Sequence, residues 1–111
     1  MFNPNIELNE TQKILIGGLL YDASNQCLST KNDTIYLRNK LNEVLFHMVK
    51  NNHRVVSREE LIQKVWNGNY YTGVKGLTHS VCKLRKMFVD LGAREIKIQT
   101  FPKQGYSISY N

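Results

Sequence analysis

Long apolar runs are missing from these 111 residues, and no stretch approaches the ~20 residues that a membrane-spanning helix needs. Cysteine is scarce: Cys27 and Cys82 are too few and too far apart to read as a disulfide framework. The first residues, Met1 to Asn5, lack the basic start and apolar run of a signal peptide, so reduced thiols and a cytoplasmic setting are expected. Without export, the sequons at Asn9 and Asn32 carry no meaning. Internal repeats and low-complexity stretches are absent too. No Ser/His/Asp set, phosphate loop or paired-carboxylate motif is visible, so an enzyme is not expected. His47 and His53 have no Cys or His partner at ligand spacing, so neither a metal nor another cofactor is expected.

What is present suits a single folded domain: 41% hydrophobic and 22% charged residues over a length that supports one core. The net charge of +6 is unevenly spread. Residues 1–36 carry two bases against four acids, a balance of −2; residues 37–111 carry thirteen bases against five acids, a balance of +8. A basic region of this kind points to a polyanion, nucleic acid before an anionic membrane surface.

The pattern along the chain predicts an α+β domain. Residues 1–12 are polar and read as a loose lead-in, with the domain proper over 13–111. Lys13 to Asp22 suits a buried strand bent at Gly17-Gly18, and Cys27–Ser29 and Thr34–Tyr36 suit short strands between turns. Together they predict an antiparallel β-meander. Leu37, Leu41, Val44, Leu45, Met48 and Val49 then recur at helical spacing, predicting a helix over 38–51. After a brief extended link at Arg54-Val55-Val56, Ser57 to Glu60 forms a capping box, in which the Ser57 hydroxyl accepts near Glu60 and the Glu60 carboxylate reaches back. It starts a second helix that turns Leu61, Ile62, Val65 and Trp66 inward. Asn67-Gly68-Asn69 ends that helix, and a loop is expected through Tyr70, Tyr71, Thr72 and Gly73. Tyr70-Tyr71 suits either a protein-contact patch or loop aromatics covering the core.

A third helix is predicted over 74–91, with Leu77, Val81, Leu84, Phe88 and Leu91 in one stripe and Gly92 as its cap. At 100° per residue, Lys75, His79, Lys83 and Lys86 fall on the opposite face, with Thr78 and Arg85 flanking. No acid lies between Lys75 and Lys86, so the Glu/Lys pairing of a merely solvated helix is absent. Lysines at this spacing repel unless an anion neutralises them. Such a helix fits the major groove of DNA, and Gly76, Thr78, Ser80 and Cys82 keep it slim. Glu95–Thr100 and Tyr106–Tyr110 alternate with period two around Phe101-Pro102-Lys103-Gln104-Gly105. They predict a β-hairpin with Ile96, Ile98, Tyr106, Ile108 and Tyr110 inward and Lys103 and Gln104 at its tip.

Meander, three helices and hairpin in this order make a winged helix–turn–helix, and here the sequence resembles the OmpR/PhoB-type effector domains of bacterial transcription regulators. The resemblance covers about residues 13–110. It rests on four pieces in order: Val56 to Ile62, Val65-Trp66, Val81 to Lys86, and Gln99 to Tyr106. The form of the wing around Pro102-Lys103 and Gly105-Tyr106 looks most like the CadC/ToxR-like members, in which a membrane anchor follows the domain.

The resemblance implies sequence-specific double-stranded DNA binding for transcription regulation, with helix 74–91 in the major groove and wing 96–110 on the backbone or minor groove. By position it implies that Lys75, His79, Ser80 and Lys83 face the groove and that Arg85 and Lys86 hold phosphates. Thr100 and Lys103 would touch backbone or minor groove, and loop 67–73 would meet RNA polymerase. Cys82 and Pro102 stand where Arg is common, which implies thinner base readout and some reliance on DNA shape. A lone domain offers few contacts, so a weak or DNA-induced homodimer on repeated half-sites is expected. Sensing, and any membrane attachment, would belong to segments or proteins outside these 111 residues. The competing reading is a winged-helix interaction module that turns the same basic face to an acidic protein partner.

Overall fold

The glycine pair at 17–18 does more than bend a strand. The computed structural model describes residues 13–110, so the lead-in over 1–12 and Asn111 lie outside the described residues. Lys13–Ile16 (β1) and Leu19–Asp22 (β2) are two strands, paired antiparallel with Ile16 opposite Leu19. Gly17 and Gly18 both adopt positive φ, +48° and +82°, as a two-residue hairpin turn requires. The single bent strand expected there is therefore a full reversal. Cys27–Ser29 (β3) and Thr34–Tyr36 (β4) complete a sheet of order β1-β2-β3-β4, the expected meander. Its inner face buries Ile16, Leu19, Tyr21 and Leu28.

A small polar network ties this sheet to Asn39–Lys50 (α1). The Tyr21 hydroxyl donates to Asn42 Oδ1 at 2.6 Å, and Asn42 Nδ2 donates to the carbonyl of Ala23 at 3.1 Å. Burial, with the Asp22 charge beside it, pushes the Tyr21 phenol up from its ordinary value, so it stays a donor. From α1, Leu41, Val44, Leu45, Met48 and Val49 are buried, as the helical spacing predicts.

Val56–Ser57 (β5) pairs with the carboxy-terminal hairpin, so the expected link is a third strand of that sheet. Arg58–Trp66 (α2) follows. The Ser57 hydroxyl accepts from the Glu60 N–H at 3.0 Å, as one half of a capping box should. The other half does not form. The Glu60 carboxylate instead accepts from Arg54 at 2.8 and 3.0 Å and meets His47 Nε2 at 2.5 Å. Arg54, then His47, hold this carboxyl down at about 2.

The third helix, Tyr70–Asp90 (α3), begins four residues earlier than expected. Asn69 is its N-cap: the side chain accepts from the Thr72 N–H at 3.3 Å, and the Asn69 carbonyl accepts from the Gly73 N–H at 2.8 Å. Tyr70 to Gly73 are thus helical, and only Asn67-Gly68-Asn69 links the two helices. Gly73 reads as a breaker but serves packing, since a Cβ there would meet Ile62 Cγ2 at 2.6 Å. At the other end, Gly92 has φ +73°, its N–H donates to Val89 and the Ala93 N–H donates to Phe88. That is a Schellman ending. The last sheet has order β5-β7-β6, with Lys97–Phe101 (β6) and Gly105–Ser109 (β7) forming the hairpin. Ile96, Ile98, Tyr106 and Ile108 are buried as expected. Tyr110 is only half-buried, and its hydroxyl accepts from Asn52 Nδ2 at 2.6 Å. Among the described residues no helix is long and apolar enough to cross a membrane.

Candidate nucleic-acid interface

The core stripe of α3 orients everything on it. With Leu77, Val81, Leu84 and Phe88 buried, Lys75, Thr78, His79, Cys82, Lys83 and Lys86 are all exposed on the outer side. Ion pairs among the described residues involve Glu60, with His47 and Arg54, and Lys86 with Asp90. Lys75, His79 and Lys83 therefore face solvent with no carboxylate partner. Lys86 differs from the expectation of an unpaired row: Asp90, one turn on, meets its Nζ at 3.3 Å. Both groups are exposed, so the pair costs little to break. The Thr78 hydroxyl donates back to the Val74 carbonyl at 3.1 Å and keeps its lone pairs available.

Three residues on this helix sit differently from the sequence expectation. Ser80 does not face outward. It is 5% exposed, because its position falls on the packing side of the helix against the start of α1. Gly76 does not thin the outer face. A Cβ there would lie 2.5 Å from the Trp66 ring, so this glycine makes room for a half-buried tryptophan packed against the core. Arg85 does not point to solvent alone. Its guanidinium donates twice to the Ile98 carbonyl, at 3.1 and 2.6 Å, and to Thr100 Oγ1 at 2.9 Å. Arg85 and Thr100 thus lock the helix to the first wing strand.

The wing tip is a tight turn. The Gln104 N–H donates to the Phe101 carbonyl at 2.9 Å around Pro102 and Lys103, and Lys103 has φ +64°. Proline at the second position and positive φ at the third mark a type II turn, in which glycine usually takes the lysine's place. Lys103 and Gln104 are both exposed. The Gln104 carbonyl accepts from the Arg58 N–H at 3.4 Å, which ties the tip to the start of α2. Gly105 lies so close to β5 that a Cβ would fall 2.0 Å from the Val56 carbonyl oxygen.

One further cation belongs to this surface and is not among the residues the sequence points to. Arg38, Asn39, Lys40 and Leu41 at the start of α1 line an open groove of about 410 Å³ with His79, Ser80 and Lys83 of α3. The available signal was a cation in the N-cap position, where Ser, Thr, Asp or Asn is the usual choice.

The family model described as "Transcriptional regulatory protein, C terminal" matches residues 32–108, more than half of the chain. Heme response regulator HssR of Staphylococcus epidermidis is 25% identical over 105 residues, covering 95% of this chain and 46% of that protein. Its Staphylococcus aureus counterpart (strain JH9) is 28% identical over 101 residues, covering 91% and 45%. The chain spans about half the length of the curated relatives it matches. Among solved structures, the DNA-binding domain of Escherichia coli CadC has TM-score 0.76 and 28% identity, covering 90% of this chain and 94% of that one. The C-terminal domain of the nisin resistance regulator NsrR has TM-score 0.70 and 26% identity, covering 87% and 96%. The Klebsiella pneumoniae RstA DNA-binding domain, solved with its RstA box, shares the fold at TM-score 0.69 and 20% identity, covering 88% and 97%. With its meander, three helices, wing and basic helix face, the chain belongs to the transcriptional regulatory protein C-terminal family, OmpR/PhoB-type winged helix–turn–helix domains that bind DNA sequence-specifically in transcription regulation.

Proposed function

We propose that α3 enters the major groove of double-stranded DNA with Lys75, Thr78, His79 and Lys83 toward the bases. Lys86 then lies against a phosphate, and Lys103 and Gln104 of the wing lie on the backbone or minor groove. The observation that carries this reading is the outer face of α3, where Lys75, His79 and Lys83 have no carboxylate partner. Arg85 and Thr100 act by holding wing and helix at a fixed distance, because their polar atoms are already engaged with each other and with Ile98.

The regulator as a whole works in the cytoplasm, where its DNA is. Its DNA-bound form is a weak or DNA-induced homodimer on repeated half-sites, as the few contacts of one domain require. The first turn of α3 is a surface for RNA polymerase. Supporting this, Tyr71 is 92% and Tyr70 50% exposed at the helix start, which suits a protein-contact patch better than a cover over the core.

Selection of bound duplexes from a random-sequence library, followed by fluorescence titration, tests the reading. The selected site should bind at least ~10³-fold more tightly than unrelated DNA. Lys83→Ala should weaken the selected site by about 1–3 kcal/mol and relax preference at one base position. A ratio near one would instead favour an acidic protein as the partner of this face.

A further inference from the structure

We infer that the groove between the start of α1 and α3 is a phosphate site, which holds a backbone phosphate of the DNA bound by α3. The inference rests on the DNA-binding reading above and adds to it a second anchoring point, away from the wing. The first residues of α1 line this groove, and no side chain caps their N–H groups: Arg38 stands at the N-cap and makes no capping hydrogen bond. Uncapped helix N–H groups with the positive end of the helix dipole behind them suit a phosphate oxygen.

The second observation lies on the opposite wall. Ser80 is 5% exposed, lines the same groove and makes no hydrogen bond among the described residues. A serine inside a helix ordinarily satisfies its hydroxyl on the carbonyl four residues back, as Thr78 does here with Val74. Ser80 leaves its donor free on the wall of the open groove, where an anion seated there would accept from it. Arg38, at the mouth of the groove, supplies charge and forms no ion pair among the described residues. Lys40 is already committed, donating to the Val65 carbonyl at 2.6 Å, and so orients α1 rather than binding. Backbone amides, a hydroxyl and a guanidinium around one opening match a phosphate group.

Arg38→Asp tests this without risk to the fold, since aspartate is a preferred N-cap and should raise the melting temperature of the 111-residue chain. Arg38→Asp and Arg38→Ala should each weaken selected and unrelated DNA by the same factor. Each should also lower the magnitude of the salt slope by about one, which makes the loss about three- to fourfold larger at 0.05 M than at 0.2 M salt. Ser80→Ala should cost roughly twofold to tenfold on both DNAs. A duplex with one neutral methylphosphonate at the contacted position should lose affinity for the wild-type chain and lose nothing further for Arg38→Ala. If Arg38→Ala and Ser80→Ala leave affinity and slope unchanged while Lys83→Ala still weakens the selected site, the phosphate site is wrong and the reading of α3 in the major groove stands. If Lys83→Ala is silent as well, the DNA reading itself fails. Inorganic phosphate titrated against the chain alone separates the source. Shifts confined to the amides of residues 39–41 only when duplex is present support a DNA phosphate, and saturation by micromolar free phosphate would overturn it in favour of a soluble anion.

Discussion

Ser80 and Gly76 show how far a single position can be read. Ser80 falls at about 300° from Leu77 on a helical wheel, about 40° beyond Leu84 at the edge of the apolar stripe, so its burial follows from the 3.6-residue repeat. Placing it in the groove of the DNA follows family position instead, and the helix geometry overrules that. Gly76 could not be assigned from spacing, because its role depends on where the Trp66 ring lands. The Lys86–Asp90 pair was legible, being four residues apart, but its acid lies one helical turn past the basic run. The Glu60 cluster was not, since His47 and Arg54 come from outside α2. Its consequence has a definite sign. The Glu60 carboxyl is held at about 2 against its ordinary 4.5, by Arg54 first and His47 second. Stability from this cluster is full above about pH 4.5 and is lost as pH falls from there toward 2. Thermal melts across that range should show a steeper acid-side fall for the wild-type chain than for Glu60→Gln, and equal slopes would refute the assignment.

Elements were legible where apolar period and turn chemistry agree. The meander, α1, the Ser57-capped α2 and the Schellman end of α3 all follow from local sequence. The start of α3 does not. Tyr70 to Gly73 carry no apolar repeat, and Gly73 imitates a stop, while the Asn69 cap that sets the boundary sits inside an Asn-Gly-Asn stretch that also reads as a loop. The link at Val56-Ser57 became a strand only through pairing with β7, a contact nearly fifty residues away along the chain. That pairing makes the wing dependent on one glycine. With the Val56 carbonyl oxygen 2.0 Å from a Cβ at position 105, Gly105→Ala must push β5 and β7 apart. Chemical denaturation should show a loss of about 3 kcal/mol; a melt indistinguishable from wild type would mean that the strands are not so close.

At the scale of the whole molecule, charge placement and architecture converge. The meander over 13–36 carries two bases against two acids, and the excess of bases belongs to the helices and wing. Arg85 and Thr100 brace wing against helix, so that the tip at Lys103 and the face at Lys75, His79 and Lys83 are presented as one rigid surface. The groove at Arg38 extends that surface across α1, which no single-helix pattern in the sequence could reveal because it joins residues some forty positions apart. The central claim is that the outer face of α3 binds DNA. Its most direct measurement is the affinity of a selected duplex for a chain with Lys75, Lys83 and Lys86 all changed to Ala, read across a range of salt. The account predicts at least ~100-fold weaker binding at low salt and a salt slope smaller in magnitude by about three; an affinity and slope equal to those of the wild-type chain would contradict it.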